Sequence, residues 1–390
     1  MEDDSVKEKV SSLLKDFPKE KFCEDLIGWF QREQRPLPWR EDKDPYKIWV
    51  SEVMLQQTRV DTVIPYFRRF IEKYPDMRAL AEAREEELLK MWEGLGYYSR
   101  VRNLQEAVRE VCEKYGGVVP KSREQFGKLK GVGPYTAGAV LSIAYGIPEP
   151  AVDGNVMRVL SRIFLIGEDI AKAKTRNLME DLIREIISRD DPSGFNQGLM
   201  ELGAIICKPK GPACLLCPVQ EHCRAFAAGL QEEYPVKTKS GKVKTVHLAA
   251  AVLTDERGRV LIRKRPKEGL LANLWEFPTE EADGLHFPDR AADFAERMKR
   301  KHGIRVEITG PLGKVEHVFS HLKWQISAYY GRAEGEIIET DTFKAVPLPD
   351  LEKYPFPVPH QKIFAMYQGD IGTEKGGSRK GKVRPGGPSA

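Results

Sequence analysis

Four cysteines fall within seventeen residues, spaced Cys207-x6-Cys214-x2-Cys217-x5-Cys223. Four thiolates in so short a window can close around one metal centre. Zinc modules more often use two separated C-x2-C knuckles, and compact four-cysteine runs suit iron–sulfur clusters. Spacing alone leaves both open. Upstream stand two carboxylates of different character. Within Ile48–Leu55 only Ser51 and Glu52 are polar, so Glu52 interrupts an apolar helix face. A carboxyl placed there loses hydration, rises in pKa and can act as an acid near neutral pH. Asp153, in Pro150-Ala151-Val152-Asp153-Gly154-Asn155-Val156, stands where an N-cap belongs, before an apolar helix Val156–Phe164. A helix start also favours the carboxylate anion. Between the two lies Leu129-Lys130-Gly131-Val132-Gly133-Pro134-Tyr135-Thr136-Ala137. Its glycines permit a tight turn between helices, and Pro134 suits the first position of the second helix. Amides exposed on such a hairpin can hold a phosphate, although Gly-Val-Gly alone equally makes a plain helix–helix turn.

The elements that must position these groups follow from apolar periodicity. Residues 20–230 predict consecutive helices, with helical spacing in Phe22–Phe30, Ile48–Phe70, Leu88–Trp92, Val101–Val111, Ala137–Ala144, Val156–Phe164 and Leu178–Ile187. Gly/Pro breakers such as Tyr115-Gly116-Gly117 separate them. Glu232–Thr245 is polar and basic and predicts a linker. Beyond it the period becomes that of strands, in His247–Leu253, Val260–Arg265, Val306–Ile308 and Trp324–Tyr330, with one helix at Glu296–His302. No internal repeat is present.

A chain of 390 residues predicts more than one domain. No apolar run approaches the ~20 residues of a membrane span, and the acidic Met1-Glu2-Asp3-Asp4 start carries no secretory signal. A soluble, cytoplasmic protein without a membrane partner is expected. Net charge is +4. From Ile371 onward five basic residues stand against the single acid Glu374, so the tail carries the whole excess. It is rich in Gly, Lys and Arg with little to bury, and predicts disorder. Cys23 and Cys112, alone in helical patterns, read as core thiols.

The hairpin, Asp153 and the four cysteines, in this order and spacing, resemble the helix-hairpin-helix glycosylase superfamily that carries an iron–sulfur cluster, over about residues 20–228. Pro36-Leu37-Pro38-Trp39-Arg40, Trp49-Val50-Ser51-Glu52-Val53-Met54-Leu55-Gln56-Gln57-Thr58, Gly94-Leu95-Gly96-Tyr97-Tyr98-Ser99-Arg100 and Val152-Asp153-Gly154-Asn155 narrow the resemblance to the MutY-type adenine DNA glycosylases. The resemblance implies a monomer acting on double-stranded DNA that contains adenine opposite 8-oxoguanine or guanine. Two carboxylates fit glycosidic cleavage, one as acid for the leaving group and one as anion beside the cationic sugar. Glu52 would protonate adenine N7, and Asp153, supported by Tyr135, would stabilise the oxocarbenium-like sugar. The resemblance gives Asn155, Arg40 and Trp39 pocket-shaping roles, and Gln197 a polar contact to the flipped base. Gln57 and Tyr97 would fill the gap in the stack, with Thr58 and Leu95 near the opposing base. Gly131 and Gly133 would meet the DNA backbone, and Cys207, Cys214, Cys217 and Cys223 would hold a [4Fe–4S] cluster. In lyase relatives the position of Tyr135 is a lysine that forms a Schiff base; tyrosine has no amine, so a monofunctional enzyme is expected.

The later part resembles a Nudix fold through Leu271-Ala272-Asn273-Leu274-Trp275-Glu276-Phe277-Pro278. The run Glu296-Arg297-Met298-Lys299-Arg300-Lys301-His302-Gly303-Ile304 puts Arg300 and Lys301 where a working Nudix box has glutamates, inverting the charge a hard cation requires. The resemblance therefore implies a recognition module, with Ser320 and His321 of Phe319-Ser320-His321 reading 8-oxoguanine. The expected organisation is multidomain. An all-α glycosylase region spans 1–228, with the hairpin near 129–137 and a cluster part at 193–228. A linker (229–245), an α+β Nudix-like domain (246–368) and a basic tail (369–390) follow. Three other readings compete: a bifunctional pyrimidine glycosylase/lyase, disfavoured by Tyr135; a nucleotide pyrophosphohydrolase, disfavoured by Arg300 and Lys301; and a non-catalytic DNA-binding protein, which leaves Glu52 and Asp153 without a task.

Overall fold

Helical spacing in the first half of the chain resolves into helices, and strand spacing in the second half into a sheet. The computed structural model describes residues 2–238, 243–282, 289–335, 337 and 339–376. The chain divides into two compact units, residues 1–84 with 99–240, and 85–98 with 241–390. Among the described residues no helix is long and apolar enough to cross a membrane.

In the first unit four helices position the site: the carboxylate helix Pro45–Leu55, the hairpin helix Pro134–Tyr145, the aspartate helix Gly154–Phe164 and the closing helix Pro192–Ile205. Phe164 and Phe195 bury their rings with Phe22, Leu26 and Leu199 in one apolar cluster. Each such side chain stabilises the fold by roughly 1.5–3 kcal/mol, so the aspartate and closing helices share a rigid support. They also approach closely. A Cβ on Gly203 would stand 2.7 Å from the Cβ of Asn155, a gap that only glycine leaves open.

The apolar run Ile48–Phe70 does not form one helix. It breaks after Leu55 and resumes as Val60–Lys73. Gln57 takes a left-handed φ of 57°, and the Arg100 guanidinium donates to the carbonyls of Val53, Met54 and Gln56. These are carbonyls that a helix end leaves without partners, so an arginine from another helix replaces the missing turn. Residues 229–238, expected within a linker, are tied to the first unit. Ile170 N–H donates to the Val236 carbonyl at 3.0 Å, Arg162 Nε to the Tyr234 carbonyl, and Gly211 N–H to the Glu232 side chain.

The second unit is built on a seven-stranded sheet: β1 (Lys244–Thr254), β2 (Val260–Lys264), β3 (Trp275–Glu276), β4 (Thr279–Glu281), β5 (Val306–Val318), β6 (Leu322–Ala333) and β7 (Phe343–Val346). The order is β3-β2-β1-β6-β5, with β4 on β1 and β7 on β2. Among the described residues only β1 and β6 pair in parallel, from Lys244 opposite Leu322 to Thr254 opposite Arg332. Leu248, Ala250 and Val252 face one core, whereas Ala249, Ala251 and Leu253 face the other. That is why β1 reads as a continuous apolar run. The helix Asp289–His302 covers one face through Ala291, Phe294 and Met298; it is longer than the expected Glu296–His302. The helix Val358–Gly376, not anticipated from the sequence, covers the other through Ile363. It also enters the segment expected as a disordered tail, and residues 377–390 lie outside the described residues. β5 continues past the expected Val306–Ile308 because register shifts absorb Gly310-Pro311 and Gly313.

Candidate active site

Asp44 starts the carboxylate helix by accepting the Tyr46 N–H at 2.8 Å, with Pro45 in its first turn. Two turns later this helix buries Glu52, 5% exposed. The Tyr135 hydroxyl, from the first turn of the hairpin helix, donates to Glu52 Oε2 at 2.5 Å. Loss of hydration pushes the Glu52 carboxyl up to about 7, aided by the charge of Asp153 and opposed by Tyr135 and Arg40. A carboxylic acid protonated near neutrality can serve as a proton donor. Burial and the neighbouring carboxyls push the Tyr135 phenol well above its ordinary range, so it keeps its proton and remains a donor to Glu52.

Asp153 caps the aspartate helix, with Oδ1 accepting the Val156 N–H at 2.7 Å and Oδ2 accepting from Asn155 Nδ2 at 2.9 Å. Burial nevertheless pushes its carboxyl above the usual range, against the pull of those donors and of Arg158. The helix start expected to favour the anion is outweighed by desolvation. Arg158 donates to the Asn155 side-chain oxygen at 2.9 Å, the Gly203 carbonyl at 2.7 Å and the Cys207 carbonyl at 2.7 Å. The capped aspartate is thereby tied to the start of the cysteine loop.

Cys207, Cys214, Cys217 and Cys223 line one recess walled by Val159, Ile163, Leu202 and Ile206. Among the described residues no three His, Cys, Asp or Glu side chains converge as a single metal ion would require. Four thiols on one apolar recess are chemically suited, as a donor set, to a thiolate-held metal centre. Arg162 donates to Cys207 Sγ at 3.2 Å, a contact that suits a thiolate. Burial pushes the Cys217 thiol up to about 12, so this side chain favours its deprotonated form only when a cation partner is bound.

Trp39, Arg40, Glu52, Gln57, Thr58, Gly131, Gly133, Tyr135, Asp153, Asn155 and Gln197 all line a single cleft of about 650 Å³, within the roughly 300–1,000 Å³ of a small-molecule site. Gly131 needs to be glycine, at φ 77° and with Asn103 where a Cβ would sit. Gly133 has an ordinary extended φ of −87° and caps the hairpin helix. Leu95, buried, and Tyr97, 46% exposed at φ 47°, belong to the second unit and are not among the cleft-lining residues. Ser320 and His321 form the exposed β5–β6 turn, with Oγ and Nδ1 3.2 Å apart. Phe319 beside them packs on Trp324. Sequence reasoning gave no role to Arg100, Arg158 and Glu201, each of which has a partner more than forty residues away in the chain. For Arg158 and Glu201 a charged residue within an apolar helical stretch was the available signal, the same one that marked Glu52; Arg100, among Ser99, Arg102 and Asn103, carries no such signal.

A family model described as "HhH-GPD superfamily base excision DNA repair protein" matches residues 50–185, and one described as "NUDIX domain" matches 249–366. The chain is 35% identical to the adenine DNA glycosylase of Rattus norvegicus over 93% of its own length and 80% of that protein. To the Homo sapiens adenine DNA glycosylase it is 34% identical, over 93% of this chain and 77% of the other. The adenine DNA glycosylase of Schizosaccharomyces pombe is 34% identical, with 85% and 86% covered.

Proposed function

The chain belongs to the adenine DNA glycosylase family, and on that premise we propose that it hydrolyses the N-glycosidic bond of adenine opposite 8-oxoguanine or guanine in duplex DNA, as a monofunctional enzyme of base excision repair. The observation that carries this reading is one cleft lined by a buried Glu52 hydrogen-bonded to Tyr135 and by the helix-capping Asp153.

The adenine must leave the base stack to enter this cleft. The Glu52 carboxyl then gives its proton to adenine N7, and the C1′–N9 bond breaks with its electron pair passing to N9. The sugar becomes cationic, and Asp153, oriented by Asn155 and Val156, lies ready to stabilise it as the anion. Water adds to C1′ and returns a proton to Glu52, leaving free adenine and an abasic site. Base release should therefore fall as pH rises through about 7, where Glu52 loses its proton. Tyr135 supplies no amine, so no Schiff base forms and the strand stays intact.

Cys207, Cys214, Cys217 and Cys223 would hold a [4Fe–4S] cluster. When bound, the cluster would supply a fixed tie for the loop. The second unit is read as the module that recognises 8-oxoguanine, with Ser320 and His321 at its exposed turn. The pyrophosphohydrolase reading is disfavoured by Arg300 and Lys301 where a working box has glutamates, and Lys301 is engaged with Glu280 at 2.6 Å.

The test is a duplex carrying adenine opposite 8-oxoguanine, followed with and without alkaline cleavage. Strand breaks only after alkali, and their loss in Glu52→Gln with mispair binding retained, are expected. Excision by Glu52→Gln within about tenfold of the parent, short of the ~10²–10⁴ of acid–base catalysis, would refute Glu52 as the acid.

A further inference from the structure

Glu201 stands on the closing helix one turn beyond Gln197, 1% exposed. Its carboxylate accepts from Arg35 Nε at 2.6 Å, Arg35 Nη2 at 3.0 Å and the Arg35 backbone N–H at 3.2 Å. It also accepts from Arg40 Nη2 at 2.9 Å. The Arg40 guanidinium is gripped on its other edges as well. Nη1 donates to the Arg35 carbonyl at 3.1 Å and Nε to Gln197 Oε1 at 3.0 Å. Gln197 in turn donates from Nε2 to Ser193 Oγ at 3.1 Å. With oxygen committed to Arg40 and one N–H to Ser193, the Gln197 amide has a single orientation and one N–H left for the cleft.

We infer that Glu201 is a positioning residue, which fixes the Arg40 guanidinium and through it both the orientation of the Gln197 amide and the charge that faces Glu52. A buried carboxylate between two arginines is costly to desolvate unless all its oxygen sites are matched, and here they are. The two guanidinium groups hold Glu201 down to about 2, so it stays an anion at every working pH. The trio Arg35–Glu201–Arg40 therefore carries one net positive charge on the cleft wall. Removing the anion doubles that charge; removing Arg35 cancels it.

Glu52 reports the difference. The groups acting on its carboxyl are Tyr135 from the hairpin helix, Asp153 from the start of the aspartate helix and Arg40, with Arg35, Arg176 and Glu201 lining the same cleft. More positive charge favours ionised Glu52, and less favours its acid form.

The inference rests on Glu52 as the acid. Its test is the pH dependence of single-turnover excision by the full-length protein, on duplex with adenine opposite 8-oxoguanine. Glu201→Gln should move the alkaline limb to lower pH by roughly 0.3–1 unit, below the 1–3 units of a direct charge contact because the effect passes through Arg40. Arg35→Gln, which leaves the buried carboxylate in place, should move the limb to higher pH and keeps the test open if Glu201→Gln does not fold. Glu201→Asp should keep the limb near the parent's while lowering the plateau. Limbs that stay fixed, or that move the same way in Glu201→Gln and Arg35→Gln, overturn the inference. Excision surviving in Glu52→Gln would overturn the acid assignment itself, whereas an inactive Glu52→Gln beside unshifted limbs overturns only the role of Glu201.

Discussion

Arg158 donates from Nη2 to the side-chain oxygen of Asn155, three residues earlier on the same helix, at 2.9 Å. The contact fixes which end of the Asn155 amide faces Asp153, because oxygen is committed to the arginine and nitrogen to the carboxylate. Arg158→Gln should loosen that orientation and leave the Gly203 and Cys207 carbonyls unmatched, at about 1–3 kcal/mol for each buried acceptor. A lower denaturation midpoint and slower excision per folded molecule are expected. Full excision by the folded fraction would show that Arg158 supports the fold alone.

The Glu52 carboxyl carries a stability cost with a definite pH signature. Its pKa is about 7 when folded, against an ordinary 4.5. Between those values the folded state keeps a proton that the unfolded chain has released, so stability falls as pH rises through this window. The whole cost, at most about 3 kcal/mol, stands above pH 7. Glu52→Gln should therefore melt higher than the parent at pH 8 and gain nothing at pH 4. Equal midpoints at both pH values would mean that the carboxyl is not buried as described.

His360 gives the opposite slope. It is fully buried, and its Nδ1 accepts the Phe277 N–H at 3.2 Å. Burial depresses its pKa to about 4, below an ordinary 6.5. The unfolded chain binds the extra proton in that window, so the contribution is complete above pH 6.5 and is lost as pH falls toward 4. Acid unfolding of the parent, compared with His360→Gln from pH 7 to 4, should show the variant losing less. Parallel curves would place the acid sensitivity elsewhere.

Iron and sulfide analysis of purified protein should give roughly four of each per chain, as expected for a Cys₄-held [4Fe–4S] centre. Cys214→Ser should mainly loosen the loop and weaken DNA binding. Stoichiometric zinc in place of iron would overturn the cluster assignment.

Ser320→Ala with His321→Ala should weaken discrimination of 8-oxoguanine over guanine by about 1–3 kcal/mol, the scale of one base-reading contact. Single-turnover excision and affinity on the two mispairs would measure it. Equal losses on both duplexes would reduce the turn to a structural role.

How much of this was legible in the sequence depended on whether a residue's partner was near it in the chain. Asp153 could be read as a cap because its acceptor role is local, to Val156 three residues on. Glu52 could be read as buried because its neighbours are apolar. Arg100, by contrast, reaches back to the end of the carboxylate helix, more than forty residues away. Nothing near Leu55 announces that the helix stops there, so Ile48–Phe70 read as one element. Glu201 meets Arg35 across 166 residues, and the pairing becomes visible only once the closing helix is in place. The helix Val358–Gly376 escaped for a different reason: its packing against β5 and the core on that face buries Ile363, but its apolar residues do not gather into one stripe.

Lys301 and Glu280 bear on what it would take to build a cation site in the second unit. Glu280 is 5% exposed and also accepts from His302 at 3.1 Å and Arg263 at 3.2 Å. A substitution that put a carboxylate at Lys301 would confront it with this second, already buried one before any divalent cation had been gained. Like charges so placed disfavour each other and one must take up a proton, so that step alone would weaken the fold and reward nothing. The ion pair works as a lock: a carboxylate at position 301 could be accommodated only with coordinated changes at Arg300 and around Glu280.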